Sequence, residues 1–375
     1  PTPDIAAGRV VLWHSYAGPD ADALGEILVE IKRTYPDLTV ETLFVAYDDL
    51  PQSYAAAVLA GGGPDLVAAP AWWLTQMVDA GVVQALDALV GPGLSDEYFP
   101  AALEALRRDN VLYGLPVTYE LVSLYANQAL TGAAPPPATT AELLARSQED
   151  PRQGTGIYAN LFHLAWGLPA YGATLLDGDG VAVRDQGAGA AGFLGWLQAL
   201  ENEAGAYVEQ DYGMLLDRFK KGEFAYFVDG PWAINELRGV LGDSLAVVPL
   251  PAGPTAPAQP WLSADAMLIN PAKSADQQQR ALLVAQKLTD GTAGATWAGT
   301  AQRLSANRNA PDVGDPLLEG FAVQAESAQA IPHAPEMDQV WGYAGDMLIK
   351  VLNDVMTPAE AAIEAAALIN EANDK

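Results

Sequence analysis

Short apolar runs and helical stripes alternate cleanly through the first part of the chain. Arg9-Val10-Val11-Leu12-Trp13 is continuously apolar and short, the pattern of a strand buried on both faces. Leu24, Ile27, Leu28 and Ile31 then recur at i, i+3, i+4 and i+7, the apolar face of one helix. That helix stops before Tyr35-Pro36, because a residue ahead of proline is pushed out of the helical region. Leu38–Val45 reads as a second strand, Tyr54–Leu59 as part of a second helix, and Asp65-Leu66-Val67-Ala68 as a third strand. This order predicts a parallel α/β sheet with right-handed crossovers.

Other helices show through their caps. Thr357-Pro358-Ala359-Glu360 combines an N-cap, a proline at the first helical position and a capping-box Glu. It predicts a terminal helix over Ala359–Asn373, with Ile363, Ala366, Ala367 and Asn370 at helical spacing. Ser274 with Gln277 and Thr139 with Glu142 repeat the capping pattern ahead of apolar runs. Two proline-rich stretches, Ala133–Pro137 and Pro249–Pro260, read as loops. Gly61-Gly62-Gly63 precedes a strand, whereas a phosphate-cradling loop follows one, so these glycines read as a helix C-cap and turn.

At 375 residues the chain exceeds the roughly 250–300 residues at which single cores stop growing, so two lobes are expected. Nineteen Lys and Arg against 47 Asp and Glu give a net charge of −28. A body so acidic repels phosphate backbones and anionic bilayers, which argues against nucleic-acid binding and membrane-surface adsorption. There is no cysteine, hence no disulfide, thiol nucleophile or thiolate metal site. No run of residues is apolar enough to span a bilayer; the opening Pro1-Thr2-Pro3-Asp4 has neither a basic nor an apolar leader, so a signal peptide is expected to have been removed or never present, and in a mature chain this opening suits an extended tether.

Catalytic chemistry finds little support. His14, His163 and His333 show no ligand spacing, no nucleophile elbow is present, and nothing selects two carboxylates as an acid/base pair. Neither a metal, a cofactor nor an enzymatic activity is expected. The aromatic residues say more. Several of the nine tryptophans sit beside turn signals: Trp72 and Trp73, Trp166, Trp232, Trp261, and Trp341 with Tyr343 close by. An indole face stacks on the apolar face of a pyranose while nearby carboxylates accept from hydroxyls. His14 and Ser15 follow the first strand, at the carboxyl end where open α/β sheets bind ligands.

Five segments in order carry a resemblance. They are Gly63-Pro64-Asp65-Leu66-Val67 followed by Trp72-Trp73 and Val78–Asp87; Tyr113–Glu120 leading to Leu124-Tyr125-Ala126-Asn127; Phe219–Glu223 leading to Val228-Asp229-Gly230-Pro231-Trp232; Leu268–Ser274; and Ile331-Pro332 through Met337–Trp341. Over residues 9–371 the chain resembles family 1 extracellular solute-binding proteins of ABC importers, and among them is most similar to maltose/maltodextrin-binding proteins. The resemblance implies a type II periplasmic-binding-protein fold: two α/β lobes, 1–118 with 270–312 and 119–269 with 313–375, and a sugar in the cleft between them. It also implies an extracytoplasmic monomer, periplasmic or lipid-anchored, that delivers a di- or oligosaccharide to the membrane subunits of an importer.

Residue by residue, Glu120 matches a carboxylate that hydrogen-bonds sugar hydroxyls, and Trp232 and Trp341 match stacking indoles. Asp229 adjoins Trp232, and His163 and Trp166 lie where maltose-binding proteins place further aromatics. The stretch Pro70-Ala71-Trp72-Trp73 departs from the family pattern in having no charged residue, which leaves the identity of the sugar open. Two other ligand classes stay in view: a polyamine held by carboxylates and ring faces, and a glycerol phosphodiester held by Arg303 or Arg308. A carbohydrate hydrolase is the remote alternative.

Overall fold

The structure is a computed structural model that describes residues 5–91, 93–132, 134–177, 179–182 and 189–375. The opening Pro1–Asp4 and Ala133 of the first proline-rich break lie outside the described residues. The chain divides into two compact units, Pro1–Glu120 with Leu262–Asp315 and Leu121–Trp261 with Pro316–Lys375. The return to the first unit comes at 261/262, earlier than the expected position near 270. The reason is the strand Trp261–Ile269, which pairs antiparallel with both Leu66–Pro70 and Gly114–Glu120 and so belongs to the first unit's sheet.

In the first unit the sheet order is Leu304–Ser305, Gly114–Glu120, Trp261–Ile269, Leu66–Pro70, Gly8–His14, Leu38–Phe44. Gly8–His14 lies parallel to both Leu38–Phe44 and Leu66–Pro70, the βαβ arrangement the alternation predicts. Val10, Leu12, Leu66 and Val67 are fully buried. The helix Pro19–Thr34 starts with proline, carries Asp20 and Asp22 in its first turn and Lys32 and Arg33 in its last, and so complements its own dipole. Ala23, Leu24, Ile27 and Ile31 form its buried stripe. Leu50–Leu59 ends in the glycine turn, where Gly61 and Gly63 take φ of 78° and 79°, a region that favours glycine.

Register brings several chain segments to one edge of this sheet. The parallel strands end at His14, Phe44 and Pro70. Trp261–Ile269 runs the other way and sets Asp265 opposite Pro70. Gly114–Glu120 reverses again, with Glu120 opposite Ser263. Leu304 pairs with Tyr119, which places Arg303 beside Glu120.

The second unit, whose sheet the sequence pattern did not reveal, has the order Leu245–Val248, Ser123–Asn127, Tyr226–Asp229, Thr155–Tyr158, Tyr207–Glu209. Its last three strands are parallel, and they end at Asp229, Tyr158 and Glu209. Helices Gly189–Glu201, Met337–Leu352 and Pro358–Ala372 pack on one another beside it. The predicted capping box at Thr357 and Glu360 forms in full, and Ser274 and Thr139 cap their helices through the backbone N–H groups of Gln277 and Glu142. Ala361, Ala365, Ala366, Ile369 and Asn370 are buried, and Ile363 is 57% exposed. Small alanines let this helix approach its neighbours closely, while Asn370 turns inward to hold the backbone N–H and C=O of Ala182.

Candidate ligand-binding site

The first unit gathers acids at the carboxyl edge of its sheet. Glu120 and Asp265 stand on neighbouring antiparallel strands, two residues out of register, and therefore on one face of the sheet. Burial, followed by the charge of Asp265, pushes the Glu120 carboxyl up to about 7, while Arg303 opposes the rise. Burial raises Asp265 as well, again against the pull of Arg303. The Arg303 guanidinium is held by Asp20 through two parallel bonds, Nε to Oδ1 at 2.9 Å and Nη2 to Oδ2 at 2.8 Å.

Aromatic rings flank these acids. Tyr16 packs on Trp297 at 5.2 Å between ring centres, and its buried hydroxyl has no partner in the protein. The Trp72 indole donates to the Tyr47 hydroxyl at 3.0 Å, and Tyr47 leans on Trp73 at 4.7 Å. Trp72 is half exposed, and with Tyr47 it forms an open ledge.

The second unit is built differently. At the end of Tyr226–Asp229 the chain turns through Gly230-Pro231, and the Trp232 ring folds back over Gly230. A Cβ at Gly230 would come within 2.1 Å of that ring, so only glycine leaves room for it. The indole is 40% exposed and flanked by Phe162 and His163. Beneath it Asp229 is fully buried, and both its oxygens are engaged. Oδ1 accepts from the Gly230 N–H at 2.9 Å and faces His163 Nε2 at 3.3 Å, and Oδ2 accepts from the Tyr212 hydroxyl at 2.9 Å. Asn160 caps the following helix through the His163 backbone N–H and also contacts His163 Nδ1 at 2.9 Å. Helix Met337–Leu352 packs on this same short helix and presents Trp341, which is 41% exposed and set edge-on to the buried Trp261.

A family model described as bacterial extracellular solute-binding protein matches residues 26–333 of the chain. The chain belongs to that family. A maltotriose-binding protein from Pyrococcus abyssi is 25% identical across 96% of this chain and 81% of its own length. A solved cyclo/maltodextrin-binding protein complexed with maltotetraose superposes with a TM-score of 0.84 at 25% identity, covering 97% of each chain. A Staphylococcus aureus extracellular solute-binding protein in complex with maltose gives the same TM-score at 20% identity over 98% of each chain, a likeness of fold. The fold is thus the type II two-unit fold of solute-binding proteins.

Within this solute-binding fold the expected residues separate into three groups. Trp232 and Trp72 follow strand ends and Trp341 stands on its helix, all three exposed; Glu120, at the end of its strand, is partly buried, and Trp73 supports Trp72 through Tyr47. Asp229 and His163 are enclosed beside Trp232 and brace its indole. His14 is also buried; its Nδ1 accepts from the Tyr16 N–H at 3.2 Å and its ring stacks on Tyr16, with Ser15 between them in the same turn.

The remaining expected residues lie apart from these. Trp166 is 0% exposed and packs against Phe193 and Trp196 in the core. Trp261 is 6% exposed and lines an apolar cavity of about 130 Å³ with Leu168, Leu175 and Met337, while Tyr343 packs on the same core. Arg308 lies over the Phe99 ring, farther along the chain than Arg303 and towards the opposite end of Gly114–Glu120, since Ala306 already bonds Val117. Sequence reasoning missed Asp265, Asp20, Tyr16, Tyr47, Tyr212 and Phe162. Only the register of strands far apart in sequence brings them to these edges. Among the described residues no group of histidines and carboxylates is placed to hold a metal, and no helix is long and apolar enough to cross a membrane.

Proposed function

We propose that this solute-binding protein captures a short, neutral malto-oligosaccharide outside the cytoplasm, as a monomer, and presents it without chemical change to the membrane subunits of an ABC importer. The observation that carries the reading is Trp232, an open indole seated on a glycine above a polar network whose hydrogen bonds are already made. A ring so fixed is ready to stack on a pyranose without further ordering, which lowers the entropic cost of binding. Glu120 and Asp265 supply acceptors for hydroxyl groups. The relatives named for maltotriose and maltodextrin support the saccharide class.

An anionic ligand is disfavoured by the geometry: Asp20 occupies Arg303 and Arg308 covers Phe99. A polyamine is the second reading, favoured by one observation, that Asp20, Glu120 and Asp265 outnumber the single guanidinium among them. A thermal-shift screen with maltose, maltotriose, trehalose, cyclodextrin, putrescine and glycerol phosphate separates these readings. Maltotriose at 100 times its dissociation constant is expected to add about 2.7 kcal/mol, a shift of a few degrees, insensitive to salt. A shift with putrescine alone, weakened by salt, would replace the sugar with a cation. Release of reducing ends from maltotriose would turn the receptor into a hydrolase.

A further inference from the structure

The cluster at the first unit's sheet edge is unbalanced in charge. Facing Glu120 and Asp265 are Tyr16 and Asp20 from the segment after the first strand, Tyr47 from the turn after the second, Thr118 on Glu120's own strand, and Arg303. The charges acting on Glu120 are those of Asp265 and Arg303. Arg303 immediately precedes Leu304, the residue paired with Tyr119, but Asp20 already holds its Nε and Nη2 edge. What remains for the pair is the guanidinium's other edge and its field. Two partly buried carboxylates on one sheet face resist double ionisation unless a cation compensates them.

We propose that Arg303, clamped by Asp20, is a positioning residue that acts through Glu120 and Asp265, setting how many protons the two carboxylates share and so how they meet saccharide hydroxyls. The proposal rests on the saccharide reading. An ionised Glu120 accepts from a sugar hydroxyl in a charge-assisted bond, stronger than the bond its neutral form makes. Saccharide affinity therefore rises as the pair loses its shared proton, and binding releases that proton. Arg303 places the step near neutrality; without it the step moves to higher pH. Releasing Arg303 from Asp20 acts the other way, because a freed guanidinium and one fewer neighbouring carboxylate both favour ionisation.

The test has two readouts on the full chain. Carbon-13 NMR follows the carboxyl titration in ligand-free protein, and calorimetry follows maltotriose affinity from pH 5.5 to 8.5. The parent protein is expected to show a carboxyl inflection near 7 and an affinity about fivefold higher above it than below. Arg303→Met moves both upward by a unit or more, Arg303→Lys restores most of the shift, and Asp20→Asn moves both downward. If Arg303→Met fails to fold, the opposite displacement in Asp20→Asn still decides the matter. An inflection that ignores both variants overturns the proposal, as does an affinity reduced by the same factor at every pH. No maltotriose binding at any pH, with the carboxyl titration still following Arg303, overturns the saccharide reading and the ligand half of this proposal with it.

Discussion

The two units carry different materials at the ends of their strands. In the second unit the exposed element is a ring, and the polar groups under it are spent on one another: Asp229 takes bonds from Gly230 and Tyr212 and faces His163, leaving its carboxylate nothing to offer a ligand. In the first unit Glu120 and Asp265 are partly buried carboxylates whose charge is only partly compensated, with aromatic rings beside them. A satisfied network holds a surface still, and an unsatisfied one leaves hydrogen-bonding capacity for a ligand. The second unit is therefore expected to govern affinity through contact area, and the first to govern specificity and pH response.

The sharpest way to break this contrast is to compare two tryptophans of the second unit. Trp166→Ala removes a fully buried indole and is expected to cost about 3–5 kcal/mol of stability in denaturant melts, leaving maltotriose affinity of the folded protein unchanged within about twofold. Trp232→Ala should do the reverse, with little loss of stability and an affinity lower by about 100-fold, or about 2.7 kcal/mol, in calorimetry. Equal effects of the two on affinity would erase the distinction between core ring and platform.

The first unit should reveal itself through pH. Glu120 is raised from 4.5 to about 7, so the folded protein binds this proton more tightly than the unfolded chain does. Its contribution to stability is present at low pH and is lost as pH rises from 4.5 through about 7. Glu120→Gln should remove that slope, raising stability at pH 8 by on the order of 3 kcal/mol relative to the parent and changing little below pH 4.5. Burial lowers His14 from its ordinary 6.5, which gives the opposite slope, so the difference between variant and parent in melts across pH is the quantity to read. A slope that persists in the variant would assign the titration to other groups. The smallest effect is expected at Trp72→Ala, about 1 kcal/mol or fivefold in affinity, because this ring is tethered by one hydrogen bond to Tyr47 on an open ledge.

Much of the first unit was legible because its elements are local. Val10, Leu12, Leu24 and Ile27 announce strand and helix by periodicity alone, and Thr357 with Glu360 announces a helix start by chemistry within four residues. The second sheet stayed hidden because its strands are short and are interleaved with loops. The site was legible where it follows a turn, as Trp232 follows Gly230-Pro231. It was illegible where it depends on register, since nothing local in Asp265 or Arg303 says that either will meet Glu120. Tryptophan misled in the same way: Trp166 and Trp232 both sit beside turn signals, and only packing tells a core ring from a platform.

The most direct test of the whole account is maltotriose affinity in the parent protein, Trp232→Ala, Glu120→Ala and the double variant, measured by calorimetry at one pH. The account predicts that each single change weakens the same ligand by tenfold or more and that the double variant binds more weakly than either. Full affinity in either single variant would show that the changed residue takes no part in holding the ligand, and would contradict the role proposed for it.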